Sequence, residues 1–257
     1  MNWPALSVGV ITYNRPSEIR ETLTALFNNL HYSGPLTYII ADDCSPGSYL
    51  SDLEAWVIER GTSPPGHDFR VLRTDSNVGW GGNANNLIRF AARQSGLLYM
   101  TEDDYVLTRP LDLDVGVSVL LSEPHLGMLR YRSTAGVPMI YRQHEANIER
   151  YLPDYREHEA FTQARANWLE LDPASDTLWL YSNGPHLKRY DFHEVYGLYP
   201  EGLKLGTTEE AYAHMVKDRL LTYSGALRIG VLPEWIPMHY RHIGKSYQLT
   251  EHDKGVS

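Results

Sequence analysis

Tyr99-Met100-Thr101-Glu102-Asp103-Asp104-Tyr105 places three consecutive acids directly after a short apolar stretch, Leu97 to Met100. An apolar run that short, ending at once in carboxylates, reads as a buried strand that stops at the edge of a sheet. Open α/β sheets carry their ligand sites in the crevice beyond the carboxyl ends of their strands. The position of these acids therefore bears on both the fold class and the place to look for chemistry. Three adjacent carboxylates repel one another and shift their pKa values unless a cation sits among them. The residue types point to a hard divalent ion, Mg2+ or Mn2+, with oxygen ligands and a bound phosphate completing the shell. Taken alone, the same run also reads as a solvated acidic turn.

Outward from this strand the first half alternates regularly. Leu6 to Thr12 reads as a buried strand, and Arg15-Pro16-Ser17-Glu18 opens a helix that turns Ile19, Leu23, Leu26 and Phe27 to one face. Leu36 to Ala41 is a second strand, ending at Asp42-Asp43. Tyr49 to Arg60 reads as a helix with Leu50, Leu53, Val57 and Ile58 inward, Gly61 to Asp68 as a loop, and Phe69 to Leu72 as a third strand. Gly82 to Gln94 is a helix leading to the strand at Leu97 to Thr101. Strands alternating with helices imply βαβ units and a mostly parallel sheet with an α/β architecture. Further on, Leu111 to Leu121 reads as a helix and Leu126 to Tyr131 as a strand. The polar stretch from Gln143 to Asp176 is not assigned. His186 to Val195 and Thr207 to Leu221 carry helical signals, and Ala226 to Leu232 reads as a late strand. Without repeat or linker, 1–257 reads as one domain in two functional halves.

Composition sets broad bounds. The chain has 257 residues, 42% hydrophobic and 21% charged, ordinary values for a globular protein with a sizeable core. A net charge of -9 argues against wholesale binding to nucleic acid or anionic membrane. The single cysteine, Cys44, excludes an intramolecular disulfide framework and a cysteine-cluster zinc site. No basic leader or long apolar run is present, so a cytoplasmic protein without a membrane span is expected.

Three strand ends carry polar residues that alternating topology brings to one edge: Thr12-Tyr13-Asn14-Arg15, Asp42-Asp43-Cys44-Ser45-Pro46 and Glu102-Asp103-Asp104. A fourth loop, Asn77 to Asn83, leads into a helix. Its Gly79-Trp80-Gly81-Gly82-Asn83-Ala84 formally satisfies a G-x-G-x-x-A dinucleotide pattern. It follows a polar loop after the third strand, however, so the glycines read as helix-entry and close-packing positions. In order and spacing, the first 110 residues resemble the nucleotide-sugar half of family 2 glycosyltransferases, inverting enzymes of the GT-A fold.

That resemblance implies a GT-A fold: a Rossmann-like, mostly parallel central sheet with helices on both faces. Residues 1–110 would form the nucleotide-sugar half, and 111–257 a smaller acceptor and catalytic half. Thr12, Tyr13 and Arg15 would line the nucleotide pocket, Asp42 would accept the base N3-H, and Asp103 would lie near the ribose. Asp104 would bind the metal that bridges the diphosphate. The acids read Glu-Asp-Asp instead of Asp-x-Asp, so Glu102 stays open as a ligand. Asp42 and Ser45 also read as plain turn residues.

In the second half, Gly206-Thr207-Thr208-Glu209-Glu210 resembles the family's Gly-x-Glu-Asp segment, with Ser182-Asn183-Gly184-Pro185 as the loop before it. The resemblance makes Glu210 the base, with Glu209 as substitute, whereas Thr207-x-x-Glu210 by itself reads as a capping box. His242-Ile243-Gly244-Lys245-Ser246 resembles a late metal-ligand context, implying His242 as a ligand, with Lys245 or Arg241 as alternatives that steady phosphate. The expected activity is metal-dependent, inverting transfer of a sugar from a UDP- or dTDP-sugar to a hydroxyl of a small molecule or glycan, a modified DNA base remaining open. A sugar-1-phosphate nucleotidyltransferase and an inactive nucleotide-sugar-binding module are the alternatives. Neither the sugar nor the oligomeric state is written in the sequence.

Overall fold

The computed structural model describes residues 2–59, 68–131, 155–159, 167–171, 173, 180–232 and 240–243. The first half follows the expected alternation: β1 (Leu6–Thr12), α1 (Pro16–Asn29), β2 (Leu30–His31), β3 (Leu36–Asp42), α2 (Tyr49–Glu59), β4 (Asp68–Arg73), α3 (Gly79–Gln94) and β5 (Leu97–Glu102). After the acids come β6 (Tyr105–Leu107), β7 (Leu111–Asp112), α4 (Leu113–Ser122), β8 (Leu126–Arg130), β9 (Tyr155–Glu159) and β10 (Asn167–Leu171). The remainder is β11 (His186–Arg189), α5 (Asp191–Tyr196), α6 (Leu205–Thr222), β12 (Arg228–Val231) and β13 (Tyr240–His242).

Nine strands form one sheet in the order β4-β3-β1-β5-β11-β8-β12-β10-β9. Only β11 and β10 run against the others, so the sheet is mostly parallel as expected. Side chains alternate between two cores. Leu6, Val8, Val10, Tyr38, Ile40 and Tyr99 pack on the side of α1, α2 and α4. Ile11, Ile39, Ala41, Leu98 and Met100 pack on the side of α3, α5 and α6. Burial on both faces explains why these strands read as continuous apolar runs. Chain order reverses at β1, with β3 on one side and β5 on the other. The crevice beyond the carboxyl ends of β1 and β5 is thus a topological switch point, where such sheets bind ligands.

Several expectations change. His186 to Val195 is no continuous helix: His186–Arg189 is a strand inserted antiparallel between β5 and β8, and the helix starts at Asp191. Helix α3 begins at Gly79, three residues early, and α6 at Leu205, two residues early. Leu111 belongs to β7, which pairs with β2. Ile58, expected inward, is 79% exposed. Parts of 143–176 form the far strands β9 and β10, and the rest of that stretch lies outside the described residues.

Candidate active site

The acids of β5 meet the end of β1 at the switch point. The Asp103 amide donates to the Ile11 carbonyl at 3.0 Å, and the Thr12 hydroxyl donates to Asp103 Oδ2 at 2.8 Å. Tyr49, the first residue of α2, hydrogen-bonds the Thr12 hydroxyl. The hydroxyl of Thr22 on α1 donates to the Asp103 carbonyl at 2.7 Å. Arg15, at the entry to α1, donates from Nη1 to Asp103 Oδ1 at 3.1 Å and also to Asp104 Oδ2.

A late strand completes this cluster. β13 pairs antiparallel with β6, setting His242 opposite Tyr105 with ring centroids 4.7 Å apart. The Ile243 amide donates to the Asp104 carbonyl at 2.8 Å, and His242 Nε2 lies 3.2 Å from Asp104 Oδ2. His242 and Arg15, from opposite ends of the chain, thus share the Asp104 carboxylate. Lys245 and His239 lie outside the described residues. Arg241 bonds Glu21 at the surface.

The charges are held unequally. Burial, then the neighbouring Asp104, pushes the Asp103 carboxyl up to about 7, against the pull of Arg15 and Thr12. Burial, then the charges of Asp104, Glu209 and Asp103, raises Glu102 well above the usual carboxylate range. Burial also works against ionised Asp104, but the hydrogen bond and charge of His242, with Arg15, hold it below its ordinary value. Close-set acids with split affinities of this kind are suited to a cation. Among the described residues no group of three or more His, Cys, Asp or Glu is arranged to hold a metal ion together. Asp104 and His242 nevertheless fit one: Asp104 Oδ1 is buried and has no hydrogen-bond partner among the described residues.

Asp42 and Asp43 close the end of β3. Asp42 is 0% exposed. Its carboxylate accepts the Ser45 amide at 3.1 Å and the Ser45 hydroxyl, with Arg73 Nε 3.9 Å away. The carboxylate that was to read a base is enclosed by its own turn, which matches the turn reading of Asp42 and Ser45. Ser45 Oγ in turn accepts the Asn14 amide at 2.8 Å, joining the β3 turn to the β1 turn. Asn14 and Cys44 both adopt left-handed backbone, with φ of 51° and 60°. Tyr13, 47% exposed, stands at the mouth of this pair of turns. Of the two candidate asparagines, Asn83 is buried and donates to the Ala41 carbonyl at 2.8 Å, while Asn86 is exposed.

Across the crevice lies α6. Its first helical residue is Leu205, and the Thr208 amide bonds the Lys204 carbonyl at 2.8 Å. Thr207 is therefore inside the helix, and no Thr207–Glu210 capping box forms. Glu210 is exposed. Glu209 is half-buried, accepts the Asn183 amide on Oε1 at 2.8 Å, and contributes its charge at Glu102. Of the two, Glu209 is the carboxylate brought to the cluster. The approach of α3 to the segment before α6 is close. A Cβ on Gly81 would lie 2.3 Å from the Pro200 carbonyl oxygen, and Asn85 donates to the Tyr199 carbonyl at 3.0 Å. This is the close-packing role read for the glycine run.

Sequence reasoning passed over Tyr49, Thr22, Arg73 and Lys188. Tyr49 and Thr22 sit at ordinary helix positions, and nothing in their local pattern marks them. Among the described residues no helix is long and apolar enough to cross a membrane.

Comparison with known proteins gives a family match, described as glycosyl transferase family 2, over residues 7–173. A search of curated protein sequences finds no match. Among solved structures, S. aureus TarS 1–349 superposes with a TM-score of 0.59 at 19% identity, over 94% of this chain and 60% of that one. The same protein in complex with UDP-GlcNAc gives 0.59 at 18% identity, over 100% of this chain and 62% of that one. The mannosyltransferase PcManGT from Pyrobaculum calidifontis, in complex with GDP-Man and Mn2+, gives 0.57 at 15% identity, over 89% and 56%. The chain thus spans about 60% of the length of the TarS 1–349 chain it matches.

Proposed function

This chain belongs to glycosyl transferase family 2, and on that premise we propose that it moves a sugar from a UDP- or dTDP-sugar to an acceptor hydroxyl, with inversion and with Mg2+ or Mn2+. The observation that carries the reading is the cluster of Thr12, Arg15, Asp103, Asp104 and His242 at the switch point, with Asp104 Oδ1 buried and unpartnered among the described residues. TarS with UDP-GlcNAc and PcManGT with Mn2+ support the donor class and the ion.

Residues 1–110 bind the donor in this reading, and 111–257 bind the acceptor. Tyr13 offers an exposed ring for the base to stack on. Asp42 shapes the turn beneath it, and Asp103, steadied by Thr12 and Arg15, faces the ribose. Asp104 and His242 are the residues that would hold the ion, with Glu102 behind them. When bound, the ion neutralises the diphosphate and the charge that gathers on it in the transition state. Glu209 takes the proton of the acceptor hydroxyl. The acceptor oxygen then bonds to the anomeric carbon from the side opposite the diphosphate. The bond from that carbon to the phosphate oxygen breaks, and the nucleoside diphosphate leaves with the electron pair. A single displacement of this kind inverts the anomeric centre. The net charge of -9 favours a glycan or small molecule over DNA as acceptor.

The test is thermal shift against a panel of UDP-, dTDP-, GDP- and CDP-linked sugars with Mn2+, with Mg2+ and with EDTA. A UDP- or dTDP-sugar should raise Tm only with metal present, by the linkage of binding to stability. Stabilisation that EDTA leaves intact, or no response to any donor, would refute the reading.

A further inference from the structure

Behind Glu209 runs a line of buried polar groups that sugar transfer, as described, leaves unused. Lys188 on β11 is 1% exposed, and its amine lies 3.3 Å from the Tyr199 hydroxyl. The Tyr199 hydroxyl bonds that of Tyr181, which donates to Asn183 Oδ1 at 3.0 Å. The Asn183 amide then donates to Glu209 Oε1 at 2.8 Å. The two ends set the direction of every proton in this line. An amide oxygen only accepts, so Tyr181 donates to Asn183, must accept from Tyr199, and leaves the Tyr199 oxygen to accept from Lys188. Aligned donors polarise one another as far as the Asn183 side chain and fix that residue, whose main-chain N–H makes the bond to Glu209.

The line is costly to the fold. The amine of Lys188 meets the Met100 sulfur at 3.7 Å and the face of the Tyr199 ring at 5.4 Å, neither of them an anion. Burial holds its pKa well below the usual lysine value. Among the described residues no anion pairs with that amine, and a buried amine in that state destabilises a core that a thioether of similar length would fill. Cores that break the rules of packing at such a place do so next to function. The rings themselves are fixed independently, Tyr199 against Tyr212 at 4.4 Å and against Trp80 at 4.9 Å. Removing the hydroxyls or the amine therefore leaves the aromatic packing in place.

We propose that Lys188 is a positioning residue: through the hydroxyls of Tyr199 and Tyr181 it holds Asn183, whose amide fixes the Glu209 carboxylate for proton removal. This rests on the reading of Glu209 as base. The experiment compares wild type, Lys188→Met, Tyr181→Phe and Glu209→Gln. It measures Tm, hydrogen exchange of the Asn183 amide, and UDP release from UDP-GlcNAc with Mn2+ and water as the acceptor hydroxyl. Lys188→Met should keep or raise Tm while the Asn183 amide exchanges about tenfold faster. Its kcat should fall about five- to tenfold, the equivalent of one hydrogen bond, with KM for UDP-GlcNAc within about twofold. Tyr181→Phe should show the same two losses with a modestly lower Tm. Unchanged Asn183 exchange in both variants overturns the proposal, and so does unchanged kcat in both when Glu209→Gln abolishes release. If wild type releases no UDP, the choice of donor and acceptor fails; if Glu209→Gln releases it at the wild-type rate, the base reading alone fails. Exchange at Asn183 then decides whether Lys188 holds that residue.

Discussion

Replacing Glu209 by Gln separates a base from a helix-end carboxylate. Glu209 Oε1 accepts the Asn183 amide at 2.8 Å, and Gln keeps an oxygen that can do the same. The bond changes from a charged to a neutral acceptor, from about 1.5–3 to about 0.5–1.5 kcal/mol, so folding stability should fall by about 1 kcal/mol. In a chain of this size that is roughly 2–4 °C in Tm. Catalysis responds on another scale. An amide has no proton affinity near neutral pH, and loss of a general base costs ~10²–10⁴-fold, equal to about 2.7–5.4 kcal/mol of barrier. Donor affinity should change little, because Glu209 is not among the residues assigned to the base, the ribose or the ion, although its charge is felt at Glu102. Glu210 provides the internal control: it is exposed, one helical step around from Glu209, and caps nothing because the helix starts at Leu205. Glu210→Gln should leave Tm within about 1 °C and turnover within about twofold, as for a surface position. The assay is UDP release under saturating donor, with donor affinity read in parallel by calorimetry. Near-wild-type turnover in Glu209→Gln together with a large loss in Glu210→Gln would refute the assignment and move the base one residue on.

Asp104→Asn preserves the shape of the buried side chain but removes its charge; the rise in Tm given by UDP with Mn2+ over UDP with EDTA should vanish while the metal-free protein keeps its circular dichroism, and an unchanged metal increment would contradict the ligand role. Asp42→Ala leaves the Ser45 amide and hydroxyl without their acceptor, at about 1–3 kcal/mol for a buried unsatisfied group. Its Tm should therefore drop while any preference for UDP over CDP survives; an unchanged Tm with that preference lost would restore Asp42 as the base reader. Burial holds the buried His186 and His193 well below the usual histidine value. Both are thus neutral when folded and protonated when unfolded below about pH 6.5, so the stability they contribute is intact above that pH and is lost as pH falls beneath it. Urea midpoints at pH 7.5 and 5.5 should show a smaller acid loss in a His186→Asn, His193→Gln double variant than in wild type, and equal losses would contradict this.

The first half of the fold was legible because its strands are buried on both faces. β1, β3 and β5 then appear as short apolar runs, and each stops at the polar residues that leave the sheet. Those same stops mark the crevice, so Thr12, Arg15, Asp103 and Asp104 could be found from pattern alone. Their mutual bonds could not, since Tyr49 and Thr22 reach them from helices. The start of α3 was hidden by its glycines. Gly79-Trp80-Gly81-Gly82 has poor helix propensity, yet it forms the first turn, and glycine is needed within it because a side chain at Gly81 would collide with Pro200. Tertiary approach overrides propensity there.

The opposite failure occurred at β11, and its cause bears on the chemistry. His186-Leu187-Lys188-Arg189 is only four residues long and runs almost directly into the helix at Asp191, so the whole of His186 to Val195 reads as one helix. In the sheet it lies between β5 and β8, and both faces are covered. Leu187 enters the core on the α1 side, while His186 and Lys188 are buried on the other. Pattern reading assigns polar residues to water, and it fails wherever a core holds them for another purpose. Here the polar face lies under Tyr181 and Tyr199, next to the loop that carries Asn183 and so beneath Glu209. The position at which the strand was misread as helix is thus the position from which the carboxylate assigned as base is held.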